Sequence, residues 1–218
     1  MKKFILSFAV SMFMLTAFSQ SEKYLKAMQQ KVTEMDSVWD GEKFKDLSAA
    51  FERIADAEKT QWLPYYYAAL TQVDMGFTLS MDGKPAAADK IDPIADKAEQ
   101  LINKAEELSK NNSEIYIVKK MIANLRMAPA EMARYMKYGP EGAEALETAR
   151  QLNPENPRVY LLQAQDKLYT PAEFGGSKEE AKKLFEQAIT KFDAFKPATD
   201  IDPRWGKAMT ESFLNQMK

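Results

Sequence analysis

Apolar residues in this chain recur at three- and four-residue spacing from about residue 22 to the C-terminus, the period of helices that bury one face. Sustained alternation is absent, and no Asn-Gly or Asp-Gly pair joins β-branched runs, so no hairpin of strands is signalled. The spacing predicts an all-α chain with helices near 22–38, 42–58, 63–77, 91–109, 113–127, 140–152, 157–169, 177–193 and 203–216. Several boundaries have a chemical reason. Ser177 followed by Glu180 reads as a capping box, in which hydroxyl and carboxylate satisfy each other's backbone donors. Asp92-Pro93, Asn156-Pro157 and Asp202-Pro203 each place an N-cap residue before a proline at the first helical position.

A repeat underlies these helices. A small residue near a helix end is followed, across a short polar turn, by an aromatic 11 positions on: Ala55 and Tyr66, Ala105 and Tyr116, Ala149 and Tyr160. Ala98 and Ala181 stand seven residues before Ala105 and Ala188, with Ile102 and Phe185 in between. Alanines at this spacing let one helix approach its neighbour, while the aromatic fills the gap to the next unit. This pattern resembles the tetratricopeptide repeat, most clearly over residues 149–160. The C-terminal part, with residues 170–176 and Pro203-Arg-Trp-Gly206, is also similar to uncharacterised exported bacterial proteins of that type. The resemblance covers roughly residues 42–206 and implies a right-handed α-solenoid of about four divergent helical hairpins with a C-terminal capping helix. It brings no activity with it.

The spacing also departs from the resemblance. A tetratricopeptide unit has about 34 residues, whereas Tyr66 to Tyr116 is 50, Tyr116 to Tyr160 is 44 and Tyr160 to Trp205 is 45. The excess falls around residues 78–90, 128–139, 170–176 and 194–200. Insertions at equivalent positions of a solenoid emerge on one face, so enlarged loops are expected along one edge.

Composition narrows the chemistry. The 218 residues contain no histidine and no cysteine, which excludes disulfides, thiolate nucleophiles, histidine-based triads and the common zinc sites. A formal charge of −2 leaves no basic footprint for nucleic acid. Met1-Lys2-Lys3, an apolar stretch from Phe4 to Phe18 and Ala17-Phe18-Ser19 read as a secretory signal peptide cleaved after Ser19. The stretch is short of the roughly 20 residues a membrane span needs. Residues 20–218 would then be one exported domain, periplasmic or secreted, with no stable membrane span.

Candidate sites divide into weak chemistry and a groove. The carboxylate pairs Glu106-Glu107 and Glu179-Glu180 lie among lysines with no oriented partner, so no catalytic residue is assigned. Asp74, Asp82, Asp89 and Asp92 gather near the first enlarged loop but meet no EF-hand pattern, and no metal or cofactor is expected. Gly175-Gly176-Ser177-Lys178 lacks the phosphate-loop frame and reads as a turn and cap. In the frame set by Tyr66, Tyr116 and Tyr160, the concave face is lined by Tyr67, Thr71 and Asp74; by Ile117, Met121 and Asn124; and by Leu161, Gln165, Leu168 and Tyr169. The lysine/asparagine clamp of some tetratricopeptide domains has no counterpart there, which argues against capture of a partner's terminal carboxylate. Tyr67, Thr71, Asp74, Met121, Asn124, Gln165 and Tyr169 are the candidate groove residues, and Arg134 and Tyr138 mark a basic, aromatic second loop. The expectation is a non-catalytic scaffold that binds a protein or peptide in the groove. The alternative is a binding protein for a small molecule or glycan, and the discriminator is the shape of the cavity.

Overall fold

The computed structural model describes residues 21–80 and 85–217. The leader read over residues 1–19 and the turn read at residues 81–84 lie outside the described residues. Those described form α1 (Glu22–Met35), α2 (Gly41–Glu58), α3 (Trp62–Thr78), α4 (Ala88–Leu108), α5 (Ser113–Met127), α6 (Glu131–Leu152), α7 (Pro157–Tyr169), α8 (Lys178–Ala194) and α9 (Lys207–Gln216), with a short 3-10 turn at Ala172–Phe174. No strand occurs among them. Consecutive helices pack as hairpins, and α3 also packs on α5. The fold is therefore an all-α array of sequential helical hairpins.

The termini follow local chemistry. Ser21, Asp40, Asn112, Asn156 and Ser177 each accept a backbone N–H from the first turn of the helix they open. Such a cap contributes about 1 kcal/mol. At Ser177 the serine half of the capping box forms, at 3.2 Å from the Glu180 amide, while the Glu180 carboxylate pairs with Lys167 of α7 at 2.6 Å.

Packing follows the alanine and aromatic frame. Ala55, Ala98, Ala105, Ala149, Ala181 and Ala188 are fully buried. Gly76 marks a tight approach of α3 to α5, since a Cβ there would lie 2.7 Å from a methyl of Leu125. Where units meet, the frame is polar as well as aromatic. Trp205 Nε1 donates to the Tyr66 hydroxyl at 2.9 Å, and that hydroxyl donates to Glu114 Oε2 at 3.3 Å. Arg158, wholly buried, donates to Glu114 Oε1 at 3.0 Å and lies against the rings of Phe192, Phe195 and Trp205. Asn156 adds a bond to Glu114 Oε1 at 2.8 Å.

Three boundaries differ from the sequence reading. Helix α4 begins before Asp92-Pro93, so Pro93 lies inside it. Helix α6 starts at Glu131 and carries Pro140 in its interior, so most of the second expected loop is helix. A proline in a helix forfeits one backbone bond and crowds the preceding turn. Tertiary contacts between α4, α5 and α6 offset that cost, among them the Arg134 clasp described below. Asp202-Pro203 does not open the last helix. Asp202 instead accepts from the Thr199 amide and hydroxyl at 2.8 and 2.7 Å, and α9 begins after Gly206, whose φ of 109° suits glycine.

Candidate functional site

The inner helices α3, α5 and α7 floor one large cleft of about 1,590 Å³. The end of α1, the link to α2, the start of α6, the loop at residues 170–176 and α9 form its walls. That volume exceeds the roughly 300–1,000 Å³ usual for small-ligand pockets. Methionines and aromatics contribute about a third of the lining, with Met35, Met121, Met127 and Met209 beside Trp39, Tyr135, Tyr169 and Phe174. Thioether and aromatic groups adapt to a broad apolar face.

Of the candidate groove residues, Tyr67, Asp74, Met121, Asn124, Gln165 and Tyr169 all line this cleft. Their roles differ. Tyr67 is packed: its ring stacks on Phe51 with centroids 5.1 Å apart, and its hydroxyl donates to the Ile201 carbonyl at 3.0 Å. Thr71, expected in the groove, does not reach it. It is fully buried outside the lining, and its hydroxyl turns back to the Tyr67 carbonyl at 2.8 Å. Both residues face inward because α3 is packed by α2, α4 and α5 together. Met121 is buried in the floor, whereas Tyr169 stands exposed at the mouth, edge-on to Phe213. Gln165 reaches Met209 Sδ at 3.6 Å, joining α7 to α9.

Arg134 and Tyr138 lie on α6 rather than on a loop. Arg134 holds Asp92 of α4 with two bonds at 2.7 and 2.6 Å and donates to the Arg126 carbonyl. Arg126, Arg134 and Lys137 all sit against the Tyr138 ring. These groups clasp α4, α5 and α6 together and do not line the cleft. Arg134 holds the Asp92 carboxyl below its ordinary value. Asp92 is thus engaged by Arg134 while Asp74 lines the cleft, and Asp82 lies outside the described residues. No group of three or more acidic residues that would hold a metal ion occurs among the described residues.

Electrostatics in the cleft are nearly closed. Lys120 of the floor is buried and pairs with Asp166 at 2.9 Å. Lys167, Arg204 and Lys207 pair with Glu180, Asp36 and Asp193 at 2.6, 2.8 and 2.7 Å. Asp74 has no such partner among the described residues, and burial pushes its carboxyl up to about 7. Asp74 itself is half-buried, whereas the Asn124 side-chain oxygen is enclosed without a hydrogen-bond partner among the described residues.

The sequence reading did not anticipate Trp39, Phe174 or Met209, which reach the cleft from walls outside the inner helices; Tyr135, from the second expected loop, joins them there. Phe174 is held there by a closed loop: the Gly176 amide donates to the Pro171 carbonyl at 3.1 Å, and Lys167 Nζ donates to the Gly175 carbonyl at 3.1 Å. A Cβ on Gly176 would overlap the Thr170 carbonyl oxygen. Gly176→Ala is therefore expected to open this loop and cost about 1–3 kcal/mol. Thermal melting and proteolysis at residues 170–176 check it, and an unchanged melt would refute the closed loop.

No protein-family model matches the sequence, and no curated protein matches it. The tetratricopeptide likeness thus rests on residue spacing, and what stands of it is the all-α array of hairpins. Among solved structures, the HusA haemophore from Porphyromonas gingivalis is similar, with a TM-score of 0.80 and 33% identity over 92% of this chain and 95% of that one. No described helix is long and apolar enough to cross a membrane. Agreement of this extent, in sequence and in the course of the helices, carries a common family: the chain belongs to the family of the HusA haemophore.

Proposed function

We propose that this protein binds and carries a flat tetrapyrrole of the haem class in the cleft floored by α3, α5 and α7. The observation that carries the reading is the cleft itself, broad, apolar and rich in methionine and aromatic side chains. The name of its relative, a haemophore, supports the choice of ligand. This favours the small-molecule alternative over a protein or peptide partner. The protein is a binding protein, not an enzyme. The basic and apolar leader read at its N-terminus supports work outside the cytoplasm.

The composition defines how such a ligand would be held. Haem iron is commonly ligated by histidine, cysteine, methionine or tyrosine, and the first two are absent here. Tyr135, Tyr169 and the cleft methionines are the side chains that would face a metal. The larger part of the affinity comes from burying the ring faces against thioether and aromatic groups. Haemin, zinc protoporphyrin and metal-free protoporphyrin are therefore expected to bind with dissociation constants within about tenfold of one another. Titration followed by the Soret band and by quenching of Trp fluorescence checks this. Saturable binding of none of the three would overturn the reading. A preference for haemin beyond about a hundredfold would replace ring recognition with iron ligation.

A further inference from the structure

Asp74 and Asn124 occupy equivalent places on neighbouring helices. The frame residues Tyr66 and Tyr116 are 50 positions apart, and so are Asp74 and Asn124. Gly76 packs directly on Leu125, which brings this stretch of α3 against this stretch of α5. Both side chains line the cleft. Every cation of the lining is already engaged: Lys120 with Asp166, Lys167 with Glu180, Arg204 with Asp36 and Lys207 with Asp193. Glu211 is a further acid on the α9 wall, while α2 contributes Phe44 and α4 contributes no charged group. The Asn124 amide oxygen is thus enclosed without a hydrogen-bond partner, and the Asp74 carboxyl, half-buried in the same lining, makes no hydrogen bond or ion pair among the described residues. Buried polar groups in native proteins are normally satisfied, so an orphaned amide in a ligand cleft, with an unpaired carboxyl at the equivalent place on the next helix, points to the ligand.

We propose that Asp74 and Asn124 form the recognition point for a carboxyl group of the ligand, with Asp74 protonated and donating its O–H to a ligand carboxylate oxygen. The Asn124 amide, whose two ends exchange by a half-turn, hydrogen-bonds the same group. The inference rests on the tetrapyrrole reading, whose ligands carry carboxylate side arms. Two facing carboxyl groups bind as a pair only when they share one proton. Where Asp74 is ionised in the free protein, binding therefore takes one proton from solvent. Asp74 has an elevated carboxyl, raised by burial to about 7. Affinity is constant below that pH and falls by up to about tenfold per pH unit above it.

The test uses the chain from Gln20 to Lys218 with metal-free protoporphyrin and its dimethyl ester, titrated from about pH 6 to about pH 9, a range that spans the Asp74 transition. The wild type is compared with Asp74→Asn and Asp74→Leu. Asparagine keeps a donor without a charge, so Asp74→Asn is expected to bind the diacid across the range as strongly as the wild type does at the acid end. Leucine keeps neither, so Asp74→Leu is expected to bind the diacid about tenfold more weakly at the acid end and the ester as the Asn variant does. Equal affinity of the Leu and Asn variants for the diacid would overturn the proposal, since charge removal alone would then explain Asp74. So would a wild type whose diacid affinity stays flat to the alkaline end. Saturable porphyrin binding in none of the three proteins would remove the tetrapyrrole reading and this inference with it.

Discussion

Glu114→Gln is expected to lower the free energy of unfolding by about 3–5 kcal/mol. Glu114 is the anion facing Arg158, whose side chain is fully buried. Three rings surround that guanidinium, at 5.9, 5.1 and 5.0 Å for Phe192, Phe195 and Trp205. Its Nε and Nη2 already lack hydrogen-bond partners. Aromatic faces attract a cation, yet by only about 2 kcal/mol for a desolvated contact. They do not replace a carboxylate. The substitution would leave a positive charge in the core with a neutral amide as its acceptor. Tyr66 and Asn156, which also donate to Glu114, would lose a charged acceptor at the same time.

Burial pushes the Glu114 carboxyl up, against the pull of Arg158 and of its hydrogen bonds. The pair is thus held at a cost in solvation, and each charge compensates the other. Urea unfolding near neutral pH measures the loss, with an unchanged m-value as evidence that the native surface is intact. The double variant Glu114→Leu, Arg158→Met is expected to recover most of it, because removing both charges removes the penalty. A loss below about 1 kcal/mol for Glu114→Gln would mean that water reaches the guanidinium.

The joint replacement Tyr135→Ala and Tyr169→Ala is expected to weaken porphyrin binding about a hundredfold while leaving the melting temperature almost unchanged. Tyr135 and Tyr169 are 55% and 63% exposed, so the fold gains little from them in the free protein. Both line the cleft, from α6 and α7. A flat ligand seated there would cover their rings. Each ring so buried contributes on the order of 1.5 kcal/mol at about 25 cal/mol per Å² of apolar surface. Two such losses make roughly two orders of magnitude in the dissociation constant. Calorimetric titration with metal-free protoporphyrin reads the effect without any contribution from iron. An unchanged constant in the folded double variant would move the ligand away from the α6 and α7 walls.

Much of the candidate site is readable in the residue pattern, because helical repeats convert spacing into neighbourhood. Positions 67, 117 and 161 stand at one level of the frame, and a residue's place in the repeat decides which face it takes. Tyr67, Asp74, Met121, Asn124, Gln165 and Tyr169 consequently come to one cleft. The pattern does not report how closely the next layer approaches. Tyr67 lies under the link between α8 and α9, which takes its hydroxyl at Ile201, and Thr71 is sealed within α3's contacts. Nor does local pattern weigh tertiary contact against helix breakers. Pro93 and Pro140 read as boundaries yet lie inside α4 and α6. Arg134 bridges those two helices through Asp92.

Residue order alone settles the helical class, the succession of hairpins, the capped starts at Asn156 and Ser177, and the lack of histidine and cysteine chemistry. These depend on local propensity, on periodicity and on residue type, all of which are written along the chain. Long-range packing settles the rest. It brings Trp39, Tyr135, Phe174 and Met209 together across one cleft, and it pairs the cations of that cleft while leaving the Asp74 carboxyl and the Asn124 oxygen without partners among the described residues. Those outcomes depend on contacts between segments far apart in sequence, such as Arg204 with Asp36. Whether a charge finds a partner is set by the packing of whole helices, which no local window of residues contains.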